Sequence, residues 1–187
     1  MGHWKPVILA QTATVYTATI DLADMDRSVY ETLELRVARH PSETAEYMLV
    51  RILAYCLEYQ EGIALTEGVS SGNEPALVVR DLTGRITGWI EVGMPDAERL
   101  HRGSKLAGRV AVYSHRDVRQ LLGNLDGQRI HRAKDIPIRA FDRTLVEEIA
   151  GRLDRRISMS LSVTGGELFL ILGDESWTLP LVEHRIS

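Results

Sequence analysis

Cysteine is all but absent from this 187-residue sequence: Cys56 stands alone. That excludes an internal disulfide and any metal centre built on several thiolates. No apolar run approaches the roughly 20 residues of a membrane helix. The short apolar piece at residues 7–10, after Lys5, is too brief for a secretory signal core. The expectation is therefore a chain of the reducing cytoplasm with no membrane association. Aromatic residues make up only 6%, which argues against an extended surface for stacking bases and leaves Trp4 and Trp177 as isolated platforms. The six histidines, at 3, 40, 101, 115, 131 and 184, lack the spacing of a zinc site. The glycines form neither a Walker loop nor a dinucleotide fingerprint.

What is present describes a globular protein. Hydrophobic residues at 44% and charged residues at 26% are ordinary proportions, and the length suits one domain spanning residues 1–187 with a substantial core. A net charge of −4 argues against binding a phosphate backbone, because such affinity comes from Lys and Arg displacing counterions. The charge is nevertheless segregated. Residues 99–143 hold 11 Lys/Arg against 4 Asp/Glu, leaving 11 against 22 elsewhere. Such a stretch either concentrates an anionic ligand or is simply a set of solvated helix faces.

Along the chain, residues 12–37 alternate apolar and polar side chains on either side of an acidic turn, which predicts a β-hairpin. Pro41 and Ser42 precede a helical stripe of Ala45, Met48, Leu49, Ile52, Leu53 and Cys56, with Ser42 as N-cap and Gly62 beyond the end. A polar loop at residues 68–73 leads to two strands, 76–80 and 86–92. Pro95 and Asp96 start a helix whose inner face, Ala97, Leu100, Gly103, Ser104 and Ala107, is small enough to lie close on a sheet. A strand at 110–113, a helix capped by Ser114, a strand at 134–140 and a helix capped by Asp142 follow. Alternation from Ile157 to Val163, the Gly165–Gly166 turn, and runs at 167–172 and 177–182 predict a closing antiparallel meander.

Glu91 is the residue that most needs explaining. A carboxylate inside the apolar strand Gly88-Trp89-Ile90-Glu91-Val92-Gly93 must be solvated, paired or bound to metal. Pairing with Arg80 is the plain alternative. Glu74, where the preceding strand begins, is placed by an antiparallel turn near Glu91, and two converging carboxylates supply oxygen ligands to Mg²⁺. Asp81, nearer the turn, is the second choice to Glu74. Cys56 reads as packing, Arg51 as a surface ion-pair partner, and Ser114 beside His115 as a cap rather than a nucleophile.

The stretches RHPSETAEYMLVRILAY (residues 39–55), NEPALVV, GWIEVGMPDAERL and the Val-Tyr strand at 109–114 resemble the YaeQ family of bacterial proteins, over residues 12–182. The resemblance implies an α+β fold: a mixed β-sheet flanked by helices on the PD-(D/E)XK nuclease-like plan, with an N-terminal β-hairpin and a C-terminal antiparallel meander. In that superfamily one acid on each of two core strands binds a divalent cation, and a lysine two positions after the second acid serves the attacking water. Glu74 and Glu91 match the acids, and the lysine place falls on Gly93. Lys105 on the next helix, with Arg102 a turn earlier, is the nearest displaced base. The first core helix often adds an acid, here Glu43 or Glu46, though Glu43 also suits a helix-capping role. The function implied is Mg²⁺-dependent phosphodiester hydrolysis on nucleic acid, with Arg99 and Arg102 touching phosphates. The alternative is a non-catalytic nuclease-like scaffold that binds nucleic acid or a protein of the transcription or repair machinery. A binder of a small anion at the basic helix is a third.

Overall fold

The computed structural model describes residues 12–67 and 72–187. Trp4 and most of the 68–73 loop lie outside them. The described chain runs β1 (Thr14–Asp24), β2 (Val29–Arg39), α1 (Ala45–Leu57), β3 (Ile63–Leu65), β4 (Leu77–Arg80), β5 (Ile86–Val92), α2 (Ala97–Leu106), β6 (Arg109–Ser114), α3 (Val118–Leu125), β7 (Pro137–Phe141), α4 (Arg143–Ala150), β8 (Arg156–Thr164), β9 (Glu167–Leu172) and β10 (Glu175–Arg185).

The strands join one mixed sheet in the order β2-β1-β8-β9-β10-β7-β6-β5-β4-β3. The expected hairpin and meander are thus both parts of this sheet. β1 pairs in parallel with β8. β10 joins the two halves: its residues 175–180 pair with β9 and its residues 181–185 with β7. Pro180, which has no N–H to give a ladder, sits at the changeover.

Period-two alternation explains why both halves close on one core. Ala18, Ile20 and Leu22 of β1, Leu33, Leu35 and Val37 of β2, and Ile157, Met159, Leu161 and Val163 of β8 all point inward onto α1. Each of these side chains larger than alanine contributes about 1.5–3 kcal/mol by leaving water. Enclosed in this way, α1 is buried on every side: the seven residues from Met48 to Ala54 have no exposed surface. That overturns the expected single apolar stripe and places Arg51 inside the protein rather than on it.

A second apolar cluster lies on the other face of β5, β6 and β7, under α2 and α3, and includes Trp89, Leu100, Val112 and Leu121. Here the small inner face of α2 behaves as its composition predicts. A Cβ at Gly103 would lie 2.5 Å from Cδ1 of Trp89, so the helix rests directly on the indole.

Local chemistry corrects several boundaries. Thr44, not Ser42, caps α1 and accepts from the N–H of Tyr47. Asp117, not Ser114, caps α3, while Asp96 and Asp142 cap α2 and α4 as expected. Trp177 is no exposed platform: it is 9% exposed, and its indole N–H donates to Glu148.

Candidate functional site

Parallel pairing of β5 with β6 puts Glu91 beside Val112, near the strand ends where the chain turns into α2. Both flanking features, Trp89 below and the first turn of α2 above, converge on this carboxylate. Oε1 accepts from the indole Nε1 of Trp89 at 2.8 Å and from Nε of Arg99 at 3.1 Å, and Oε2 accepts from Nη2 of Arg99 at 3.3 Å. Glu91 is 3% exposed. Burial pushes its carboxyl above the ordinary range, and the charge and hydrogen bonds of Arg99, with the bond from Trp89, pull against that shift without cancelling it.

Arg99 ties three pieces of chain together. Besides Glu91 it donates to the carbonyls of Gly72 at 3.1 Å and Glu74 at 2.6 Å. Four of its five N–H donors are thus committed to the protein, which leaves one Nη1 hydrogen for the expected phosphate contact. Glu74 is brought close through its backbone carbonyl: that atom, not the carboxylate, meets Arg99. Arg80, the expected partner of Glu91, instead donates to the carbonyl of Gly84.

The remaining candidates are dispersed. Asp81 closes the β4–β5 turn, accepting from the hydroxyl and N–H of Thr83 and the N–H of Arg85. The Thr83 hydroxyl bond first, with the amide bonds adding to it, holds its carboxyl below the ordinary range against the opposing effect of burial. It lies about 17 Å along β5 from Glu91 at strand rise. Lys105 is exposed in the last turn of α2. Six residues beyond Arg99, it is about 9 Å farther along the helix, toward Arg109 and the opposite strand end, so the fold does not bring it to Glu91. Arg102 bonds Asn73 at 3.1 Å and Glu98 at 3.4 Å.

Glu43 precedes the Thr44 cap and is no first-turn acid; Glu46 holds that place. The Glu43 carboxylate pairs with Arg51 at 3.0 Å, both side chains having no exposed surface. Arg51 also donates to the carbonyls of Ala38 and Thr66, so the pair pins α1 to β2 and to the chain after β3.

At the lysine place, Gly93 has φ +89°, and its N–H donates to the carbonyl of Tyr113. A side chain there would be strained in this left-handed backbone, and its Cβ would lie 3.4 Å from Cε2 of Tyr47. Glycine at this place is therefore a conformational requirement of the β5–α2 turn. Among the described residues no group of three or more His, Cys, Asp or Glu side chains is arranged to hold a metal ion.

The family profile described as YaeQ protein matches residues 9–181. The chain belongs to the YaeQ family. The YaeQ protein of Escherichia coli K12 is 28% identical over 163 residues, covering 87% of this chain and 90% of that protein. The crystal structure of YaeQ from Pseudomonas syringae superposes with a TM-score of 0.84 at 33% identity, covering 91% of this chain and 95% of that one. YaeQ from Xanthomonas axonopodis pv. citri gives 0.81 at 26% identity, with 94% and 100% covered. The ten-stranded arrangement is thus carried on a YaeQ fold seen in crystals.

Sequence reasoning passed over two features of this YaeQ chain. One is a polar network at the far end of α1: Glu58 accepts from Arg109 at 2.6 Å and from the Tyr113 hydroxyl at 2.6 Å, while Arg139 donates to that hydroxyl at 2.6 Å. Desolvation, then the Glu58 charge, drives the Tyr113 phenol far above its usual range, and Arg139 opposes this. The other is His115, 5% exposed, whose Nδ1 has no hydrogen-bond partner among the described residues. The available signal was a histidine closing an apolar strand, which demands a partner just as Glu91 does.

Proposed function

We propose that this chain is a non-catalytic binding module on a PD-(D/E)XK nuclease-like core, with nucleic acid as its ligand. The order α1, β3, β4, β5, α2, β6 follows the order of that core, which supports the scaffold assignment. The observation that carries the non-catalytic part is the Arg99 fork on Glu91. A guanidinium occupies the carboxylate that the superfamily would give to a cation.

The donor set does not fit Mg²⁺. Both Glu91 oxygens are taken by Arg99, with Trp89 on one of them, and Glu74 offers a carbonyl already bonded to the same arginine. The base position holds Gly93, and Lys105 stands at the other end of α2. A positive group already compensates the charge that would attract the ion, so the site has no local reason to take one.

Support for a phosphate-bearing ligand comes from the C-terminal end of α2. Lys105 is exposed there, and His101 Nδ1 accepts from the N–H of His131 at 3.2 Å. Arg132 packs its guanidinium on the carbonyls of Ser104 and Ala107. Desolvation, then Lys105, Arg132 and His101 in turn, depress the His131 pKa, as expected where positive groups crowd together. Such a patch tracks a polyanion by counterion release and needs no base contacts.

The test is fluorescence anisotropy with labelled single- and double-stranded oligonucleotides between about 50 and 200 mM salt, alongside calorimetry with Mg²⁺ and Mn²⁺ and a cleavage assay. Binding that weakens steeply with salt and with Lys105→Glu, without metal uptake or cleavage, is the expected result. Metal-dependent cleavage lost in Glu91→Ala would establish the hydrolytic alternative instead. No oligonucleotide binding at the lowest salt would direct the search to a protein partner and overturn the nucleic-acid part.

A further inference from the structure

α2 and α3 roof only part of the sheet. The apolar cluster beneath them draws on β5, β6 and β7 and on no residue of β1, β2, β8 or β9. On those four strands and on β10 the side chains that point away from α1 are all exposed or half-buried, so among the described residues nothing covers this half. We propose that it is the docking surface for a second copy of the chain, with the two sheets packed face to face about a two-fold axis that runs along the strands between β8 and β9.

The middle of this surface is poor in charge. Phe169 and Ile171 of β9 form a ridge, 44% and 51% exposed. Beside them stand Ser162 and Ser160 of β8 on one flank and Thr178 and Ser176 of β10 on the other. Asp21, next to Ser160 on β1, is the one charged side chain among them, and Glu34, Arg36, Arg156 and Glu167 lie toward the border. A charge-poor centre within a charged rim is the composition of an interface between proteins, and an apolar ridge left in water marks a site of association. With acids and arginines nearly balanced and no lysine present, the surface offers no complement to a strongly charged ligand.

Shape points to a second copy rather than a foreign partner. The large side chains stand on β9, and small ones, Ser160 and Ser162 with Ala23 behind them, stand on β8 and β1. Ridge and trough are therefore neighbours on one surface, the self-complementary arrangement that an isologous contact needs. A half-turn about the axis lays each β9 ridge over the other copy's β8 trough at the roughly 10 Å spacing of stacked sheets. It also sets β10 against β1, which brings the Ser176 hydroxyl opposite Asp21 of the second copy as a donor. The strands β2-β1-β8-β9-β10, about 4.8 Å apart and about eight residues long on this face, outline roughly 600 Å² per copy or about 1,200 Å² in all, the lower bound of a specific interface. The dimer is accordingly a weak and reversible one.

This surface excludes α2 and Lys105, so its failure leaves the nucleic-acid proposal standing, and the reverse. The experiment is sedimentation equilibrium of the full chain without nucleic acid, over a concentration series up to about 1 mM, with the unfolding midpoint of each variant as a check on folding. Wild type should pass reversibly from the mass of one chain to that of two. Phe169→Ser, which removes the ridge, and Ser160→Arg, which fills the trough, should each weaken association at least about thirtyfold, as expected at the centre of an interface. Leu82→Ser, which removes a side chain 94% exposed in the β4–β5 turn, should leave association unchanged. Monomer at every concentration would overturn the proposal and give the face to another partner. So would a dimer that persists in Phe169→Ser and Ser160→Arg, or one weakened equally by Leu82→Ser.

Discussion

Replacing Arg99 with methionine tests the pairing on which the non-catalytic proposal rests. Methionine keeps much of the aliphatic stem and removes the guanidinium, leaving Glu91, whose side chain is 4% exposed, with only the Trp89 indole as donor. Removing one member of a buried ion pair costs roughly 3–5 kcal/mol. The Arg99 side chain is 28% exposed, so water can partly replace it, and the lower end, about 3 kcal/mol, applies. The lost bonds to the Gly72 and Glu74 carbonyls add about 1 kcal/mol together. For a chain of this size, 3–4 kcal/mol lowers the unfolding midpoint by roughly 6–16 °C. Calorimetry and urea titration measure it. Adding Glu91→Gln to Arg99→Met removes the stranded charge while keeping an acceptor for Trp89, and should restore most of the loss. Mg²⁺ or Mn²⁺ should also stabilise Arg99→Met more than wild type if the guanidinium stands where a cation would, since ligand at 100 times its Kd contributes about 2.7 kcal/mol. A single mutant within about 1 kcal/mol of wild type would refute the electrostatic account. So would a double mutant no more stable than the single one.

Gly93→Lys, which restores the superfamily pattern in sequence, should cost about 1–2 kcal/mol for its left-handed backbone and produce no metal-dependent cleavage; urea unfolding and the cleavage assay check both parts. Gly103→Ala should lose about 1–3 kcal/mol despite its better helix propensity, because the new methyl meets the Trp89 ring at 2.5 Å; a midpoint equal to wild type would show that α2 shifts freely. Burial holds the His115 pKa below the ordinary histidine value of about 6.5, so below that pH the unfolded chain takes up a proton that the folded one refuses. Stability should therefore fall from about pH 7 toward pH 5 more steeply in wild type than in His115→Phe, with a difference in slope of at most about 1.4 kcal/mol per pH unit. Equal slopes would mean that the buried ring is freely protonated.

What the sequence revealed about the fold follows from how local each signal is. β1, β2, β8 and β9 announce themselves by period-two alternation, and α2 and α4 by Asp96 and Asp142 at their starts, because strand faces and caps are set by neighbours in the chain. β3 has three residues, too few for a period. Arg51 was assigned to a polar face because a helix read alone needs one; only the closure of β1, β2 and β8 over α1 puts it in the interior, and those strands lie up to about a hundred residues away in the chain. Ser42 and Ser114 were each a short step from the true caps, Thr44 and Asp117, since several capping residues compete within a few positions. At the candidate site the sequence singled out Glu91 and misassigned its partner. Glu91 stood out as a charge in an apolar strand. The eight-residue spacing to Arg99 crosses a turn whose path depends on Gly93 and the Asp96 cap, and the choice between Arg80 and Arg99 is made by that turn.

The two buried acids near this region, Glu43 and Glu91, share one solution: each is faced by an arginine that also bonds backbone carbonyls of a distant segment, Ala38 and Thr66 for Arg51, and Gly72 and Glu74 for Arg99. A hydrated Mg²⁺ would compensate the same charge, yet it would leave those carbonyls to water or to other donors. A guanidinium does both with five donors in one plane. The arginines thus make these acids into cross-links between α1, the β3–β4 connection and α2. That arrangement predicts which property each acid controls: neutralising Glu43 or Glu91 alone should change stability before it changes ligand binding, whereas Lys105, exposed at the end of α2, should show the opposite order. Three single variants, each measured for unfolding midpoint and for oligonucleotide affinity, separate the two groups, and an acid whose removal abolished binding at unchanged stability would return it to the functional site.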